Sequence, residues 1–222
     1  MSKGIKKHVF REKDTSSSRS SLQLKRVQQI GESYCGPAVL EILLSHLHIN
    51  ASQVKLAKAV QAEKFIDERG TRVDELSEAI TRLYPQVQLW YKTHAEASEI
   101  EFLVQQMNFP VGVEWQGLFY DSVEEEAEDA EEKLRDGGFG HYSVVKYIDR
   151  ESDAITLADP YGDFCYTDRV FSLEWFESRW WDVNQVMMNS YPKYIRDDQM
   201  MFILTRKGAY FPKLIGMKSF GK

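Results

Sequence analysis

Two cysteines in 222 residues, Cys35 and Cys165, are too few for a disulfide framework, and a bridge between them would consume the one thiol whose surroundings favour reactivity. A reducing compartment suits such a chain. No apolar stretch approaches the roughly 20 residues needed to cross a bilayer, and the opening Met1-Ser2-Lys3-Gly4-Ile5-Lys6-Lys7-His8 lacks the apolar core of a secretory signal. A cytoplasmic protein with no membrane partner is expected. There is no Cys-x-x-Cys and no His-x-x-x-His pair, so a zinc site built on Cys35, His141 and Asp159 is a weak reading; His46 and His48, two apart on a helix, face different ways. No internal repeat is visible. Nor is there an overall excess of positive charge: the formal net charge is −6.

That net value hides a polarity. Residues 1–26 carry eight Lys/Arg against two acids, 206–222 add five bases and no acid, and residues 121–136 hold nine acids and two bases. Short basic ends of this kind are ordinarily solvated, and no nucleic-acid partner is expected. Residues 1–23 read as a flexible, basic and Ser-rich leader, 24–205 as one globular domain with an acidic insert at 121–138, and 206–222 as a basic C-terminal tail. The insert is a solvated face or a screen beside a cleft; its spacing does not match a calcium loop.

Cys35 sits where a polar loop turns into an apolar helix, in Gln29-Ile30-Gly31-Glu32-Ser33-Tyr34-Cys35-Gly36-Pro37-Ala38. Pro37 suits a first helical turn, and Val39, Leu40, Ile42, Leu43, Leu44 and Leu47 make the helix apolar almost all round, hence central and buried. A thiolate at such a helix start is stabilised by free backbone N–H groups. Asn50-Ala51-Ser52-Gln53 and Thr71-Arg72-Val73-Asp74 resemble capping boxes for helices running to about Gln61 and Leu83. Strands are expected at Val87–Tyr91, Val111–Trp115, Tyr142–Ile148, Ala154–Ala158 and Met201–Thr205, with helices at Ser98–Met107 and Leu173–Trp181. Helices first and strands afterwards predict an α+β fold, a helical N-terminal part packed on an antiparallel sheet.

Gly140-His141-Tyr142 opens one strand and Asp159-Pro160 follows another, so a nucleophile, a base and an orienting acid occur in the order Cys, His, Asp. Cys35 would attack a carbonyl, His141 would exchange protons, and Asp159 would set the imidazole tautomer. The Cys35 backbone N–H and the Gln29 side-chain amide would receive the oxyanion. Gln28 and Asp163 stand in reserve for Gln29 and Asp159. Taken singly, Cys35 also reads as a buried structural cysteine, His141 as a strand histidine and Asp159 as a turn aspartate.

The Gln29-x5-Cys35-Gly36-Pro37-Ala38 segment, the Gly140-His141-Tyr142-Ser143-Val144-Val145 strand and Asp159-Pro160 together resemble the three signatures of the C39-like cysteine peptidases, a papain-like group. Gly70-Thr71 before an amphipathic helix resembles the same group's stand-alone members. The resemblance implies a papain-like fold over most of residues 24–205. It implies a Cys35–His141–Asp159 triad with Gln29 at the oxyanion hole, a peptide or protein substrate, and no cofactor. The best-known members sit at the N-terminus of membrane exporters and clip leader peptides; no membrane segment or nucleotide-binding domain is read here, so export is not implied. Gly216-Met217-Lys218-Ser219-Phe220-Gly221-Lys222 matches a phosphate-loop start by letter only. Two alternatives to a hydrolase remain: a non-catalytic peptide-binding module on the same fold, and an acyl or peptidyl transferase such as the phytochelatin synthases, which the arrangement loosely resembles.

Overall fold

Side chains that alternate between the two faces of apolar strands build the centre of the molecule. The computed structural model describes residues 22–59, 66–120, 133–188 and 191–220. Its main sheet is six-stranded and antiparallel, in the order β1 (Val87–Lys92), β8 (Met201–Arg206), β2 (Val111–Gln116), β3 (Gly140–Asp149), β4 (Ala154–Ala158), β5 (Asp168–Ser172). Along β8, Phe202 and Leu204 face one way with Leu89, Tyr142 and Val144, while Met201 and Ile203 face the other with Val111, Val113 and Trp115. Both faces are apolar, so both must be covered.

The first face is covered by α1 (Cys35–His46), α2 (Gln53–Ala59) and α4 (Val73–Leu83). In α1, Leu40, Leu43 and Leu44 are fully buried, each contributing roughly 1.5–3 kcal/mol of transfer free energy; the helix is as central as its all-round apolarity predicts. The second face receives α5 (Ala97–Glu101), which continues through a π-helical turn at Phe102–Gln106, and the helix Leu173–Arg179. A short α3 (Ile66–Arg69) precedes α4. The cap of α4 lies one residue later than Thr71-Arg72-Val73-Asp74 suggested: Glu75 accepts from the Arg72 N–H at 2.9 Å.

Three strands were not foreseen. Strand β5 escapes a hydrophobicity reading because its inward positions are Arg169 and Phe171, and a buried arginine breaks the apolar pattern. A separate antiparallel ribbon, β6 (Trp181–Met188) and β7 (Tyr191–Asp198), begins where the predicted helix Leu173–Trp181 has already ended at Arg179. Its strand β7 is largely exposed, so no buried face marks it in the sequence. In the basic C-terminal segment, Phe211–Leu214 forms a helical turn, Met217 is buried, and Tyr91 and Lys218 exchange backbone hydrogen bonds at 2.8 Å. Phe220 stacks on Tyr91 at 4.1 Å. Apolar residues among the lysines anchor that segment. Residues 1–21 of the leader, 121–132 of the acidic insert and the expected end of α2 near Gln61 lie outside the described residues.

Candidate active site

Cys35 is the first residue of α1, and the helix start is electrostatically bare: its first turn has no acidic residue and its N-cap, Tyr34, makes no side-chain cap. The N–H groups of that turn and the positive dipole end are therefore left to whatever lies in front of them. The local sequence requires this packing. A Cβ on Gly36 would stand 2.2 Å from the Thr71 hydroxyl and 3.2 Å from a Leu76 methyl, so only glycine lets α1 approach the start of α4 this closely. Cys35 itself is 8% exposed and lines a cavity of about 380 Å³.

The sheet delivers the second and third groups. His141, near the start of β3, and Asp159, just beyond the end of β4, are brought together by the β3–β4 pairing, although they are 18 residues apart. His141 Nε2 meets Asp159 Oδ1 at 2.8 Å, and both side chains are buried. The other ring nitrogen, Nδ1, is left clear of the carboxylate, and Cys35 lies near enough to act on the imidazole. Phe119 packs edge-on to the imidazole at 5.2 Å, and Tyr161 lies perpendicular to it at 6.3 Å. Burial opposes the imidazolium. The charge and hydrogen bond of Asp159, and then the hydrogen bond and charge of Cys35, outweigh that cost and push His141 up to about 10.

Asp159 is held from three sides. Its Oδ1 also accepts the Tyr161 N–H at 2.9 Å, and its Oδ2 accepts from Arg169 at 3.0 Å. Burial would raise its carboxyl, but the imidazolium charge and hydrogen bond, then the Arg169 charge, hold it below the usual carboxylate range. Asp159 is thus both the opener of the Asp-Pro turn and the partner of His141. The reserve residue Asp163 lies exposed in the 3-10 turn Gly162–Tyr166, and the carboxylate on His141 is that of Asp159.

Arg169 was missed by sequence reading. It is buried between Phe164 and Phe171, with its guanidinium 3.8 Å and 4.9 Å from the ring centres, and also donates to the Leu118 carbonyl at 2.7 Å. One signal was available: an arginine at an inward position of an alternating strand must find an acceptor. Gln53 was read only as part of a cap. Its amide instead clamps the loop before Cys35, accepting from the Ile30 N–H at 3.1 Å and donating to the Gln28 carbonyl at 2.9 Å.

Gln29 sits in this clamped loop. Its backbone N–H donates to the Pro160 carbonyl at 2.8 Å, tying the approach to Cys35 to the turn that carries Asp159. Its side-chain Nε2 donates to the carbonyls of Gly31 and Glu32, both at 2.8 Å, and its Oε1 is buried without a partner among the described residues. Both amide hydrogens are thus engaged by the loop. Gln28, its reserve, accepts from the Tyr166 hydroxyl at 3.4 Å. Among the described residues, no group of three or more His, Cys, Asp or Glu side chains is disposed to hold a metal ion.

This arrangement, a thiol at a bare helix start beside an imidazole backed by a carboxylate, is chemically suited to acyl transfer through sulfur. Comparison with solved structures places the fold. The peptidase domain of Streptococcus ComA, a bi-functional ABC transporter involved in a quorum-sensing pathway, superposes with a TM-score of 0.53 at 19% identity, over 84% of this chain and 99% of that one. A double-glycine-motif protease from an AMS/PCAT transporter, crystallised with a leader peptide, gives 0.53 at 12% identity over 86% and 96%. A protein from Bacillus anthracis described as a candidate C39-like peptidase gives 0.51 at 16% identity over 82% and 96%. The fold is therefore that of the C39 peptidase domains, a papain-like α+β fold. No curated protein matches the sequence. The profile of the Peptidase_C39 like family matches residues 21–188, well over half of the chain, and the chain belongs to that family.

Proposed function

We propose that this chain is a cysteine peptidase or amidohydrolase in which Cys35 is the nucleophile, His141 the general base and acid, and Asp159 the group that orients the imidazole. The observation that carries the reading is the buried chain of contacts from Cys35 through His141 to Asp159, ending on Arg169. His141, held protonated by Asp159, stands beside the sulfur as an imidazolium, and the thiolate is the attacking form. The thiolate attacks the substrate carbonyl carbon, forming the C–S bond. His141 then passes its Nδ1 proton to the departing amine as the C–N bond breaks, leaving a thioester. Water attacks the thioester, giving its proton to His141, and the acid product leaves as sulfur is expelled. The developing oxyanion is received by the Cys35 backbone N–H and by Gln29, whose amide must release one of its two loop carbonyls to do so.

A peptide or protein is the proposed substrate, as for the relative crystallised with a leader peptide. Two free cysteines, neither in a disulfide, fit a reducing compartment, and we place the protein in the cytoplasm. Among the described residues, no helix is long and apolar enough to cross a membrane. Iodoacetamide with adduct mapping tests the reading: Cys35 is modified preferentially at neutral and mildly acidic pH, and the preference disappears in His141→Ala. Equal, slow labelling of Cys35 and the buried Cys165 would point instead to a non-catalytic peptide-binding module.

A further inference from the structure

The cavity in front of Cys35 has an acidic side that the chemistry above does not use. Glu114 on β2 and Asp182 on β6 stand in its wall, 1% and 8% exposed. Their hydrogen-bonding side chains are all neutral: Tyr142 and Asn184 donate to Glu114 at 2.5, 3.2 and 3.3 Å, and Gln116 donates to Asp182 at 2.6 Å. Neither carboxylate has an ion-pair partner among the described residues. The two arginines in the same wall are committed elsewhere, Arg69 to Glu75 and Arg72 to Asp74 and the Gln185 carbonyl. Burial, then the nearby Asp182 charge, pushes Glu114 up to about 8, and burial pushes Asp182 up to about 7. Among the described residues the His141 imidazolium acts weakly on Asp182, and no cation is paired with either carboxylate.

A further group of the wall comes from the residues just before α4. Thr71, in the same wall and 5% exposed, has a hydroxyl with no hydrogen-bond partner among the described residues, and this hydroxyl lies over Gly36, next to the nucleophile. The open side of the cavity is flanked by the exposed ring of Tyr194, a surface on which a cationic group can stack. Glycine at position 140 is what admits the carboxylate, since a Cβ there would stand 2.5 Å from Asp182 Oδ2.

We propose that this cavity is a specificity pocket for a cationic group of the substrate, the guanidinium or ammonium of a basic residue close to the scissile bond. Glu114 and Asp182 receive the charge, and the Thr71 hydroxyl accepts a further N–H. Cations of this kind offer donors and no acceptors, and the pocket offers acceptors. An arginine is favoured over a lysine because its fork spans two carboxylates at once. The proposal deepens the peptidase reading and rests on it for the position of the scissile bond.

Binding and cleavage are read separately to test it. Positional tetrapeptide amides carrying arginine, lysine, citrulline or norleucine at each position in turn are titrated against a Cys35→Ala variant by fluorescence anisotropy. At one position, arginine binds at least tenfold more tightly than citrulline, which keeps the shape and removes the charge. Adding Glu114→Gln and Asp182→Asn removes that preference, with folding checked by circular dichroism. The arginine–citrulline comparison needs no change in the pocket, so it decides even where those replacements fail to fold. Equal binding of the two peptides at every position, or a preference that survives both replacements, overturns the pocket. The same peptides are then offered to the unaltered chain. Charge-dependent binding without cleavage keeps the pocket and removes the peptidase reading, whereas cleavage indifferent to charge does the reverse.

Discussion

Asp159 serves two cations with two oxygens, His141 on Oδ1 and Arg169 on Oδ2. Asparagine keeps the shape but turns one acceptor into a donor, which must then face either the imidazolium or the guanidinium. Asp159→Asn is expected to lower kcat roughly a hundred- to ten-thousandfold. The pH profile shows the cause. With His141 at about 10, the imidazolium is lost only as pH rises through that value, so the alkaline limb of kcat/KM lies near pH 10. Without the carboxylate that limb moves down, and stopped-flow rates on any cleaved peptide will show it. At Gln29, the expected outcome of replacement by alanine is a fall in kcat of roughly a hundred- to a thousandfold with KM little changed. A loss of thermal stability with unaltered kcat would mean that the amide only braces the carbonyls of Gly31 and Glu32.

At the scale of elements, the site is an intersection. The start of α1, the start of β3 and the end of β4 meet, and the loop before α1 is pinned to both neighbours by Gln53 and by the Gln29–Pro160 hydrogen bond. The fit of α1 against α4 sets the position of the sulfur. Gly36→Ala forces the Thr71 hydroxyl and Leu76 away, and is expected to destabilise the chain by about 1–3 kcal/mol. Thr71→Ala removes the closest clash, so the double variant recovers part of that loss. Urea denaturation of the two singles and the double closes the cycle.

Across the whole molecule, the titrating groups divide by sign. Asp159, with its carboxyl held down, contributes stability above its unfolded value near 3.8 that is lost as pH falls through the lower folded value. His141, raised to about 10, contributes stability fully present below 6.5 and lost as pH rises to about 10. Glu114 takes up a proton on folding between 4.5 and about 8, so stability falls as pH rises across that range. Together these place maximal stability near pH 4, above the range in which Asp159 titrates and no higher than about 4.5, where the Glu114 decline begins. Glu114→Gln removes one source of the decline. Thermal unfolding followed by circular dichroism should show its Tm falling less between pH 5 and pH 8 than that of the unaltered chain, by several degrees.

What the chain's sequence determined alone was whatever rests on local pattern. The all-round apolar run after Pro37 specified a buried helix with Cys35 at its start, and the short apolar runs at Val111–Trp115 and Met201–Thr205 specified strands, because burial on both faces leaves little room for polar residues. The order Cys35, His141, Asp159 was legible because each residue sits at a recognisable boundary of an element. Tertiary structure alone decided the rest. Arg169 becomes intelligible only when Asp159 and the Leu118 carbonyl are beside it, and β5 was hidden for the same reason. The ribbon of β6 and β7 leaves no apolar stripe, yet it carries Asp182 to the cavity that Cys35 shares. A buried charge is a pairwise fact: its partner lies far away in the chain, and only folding brings the two within reach of a hydrogen bond.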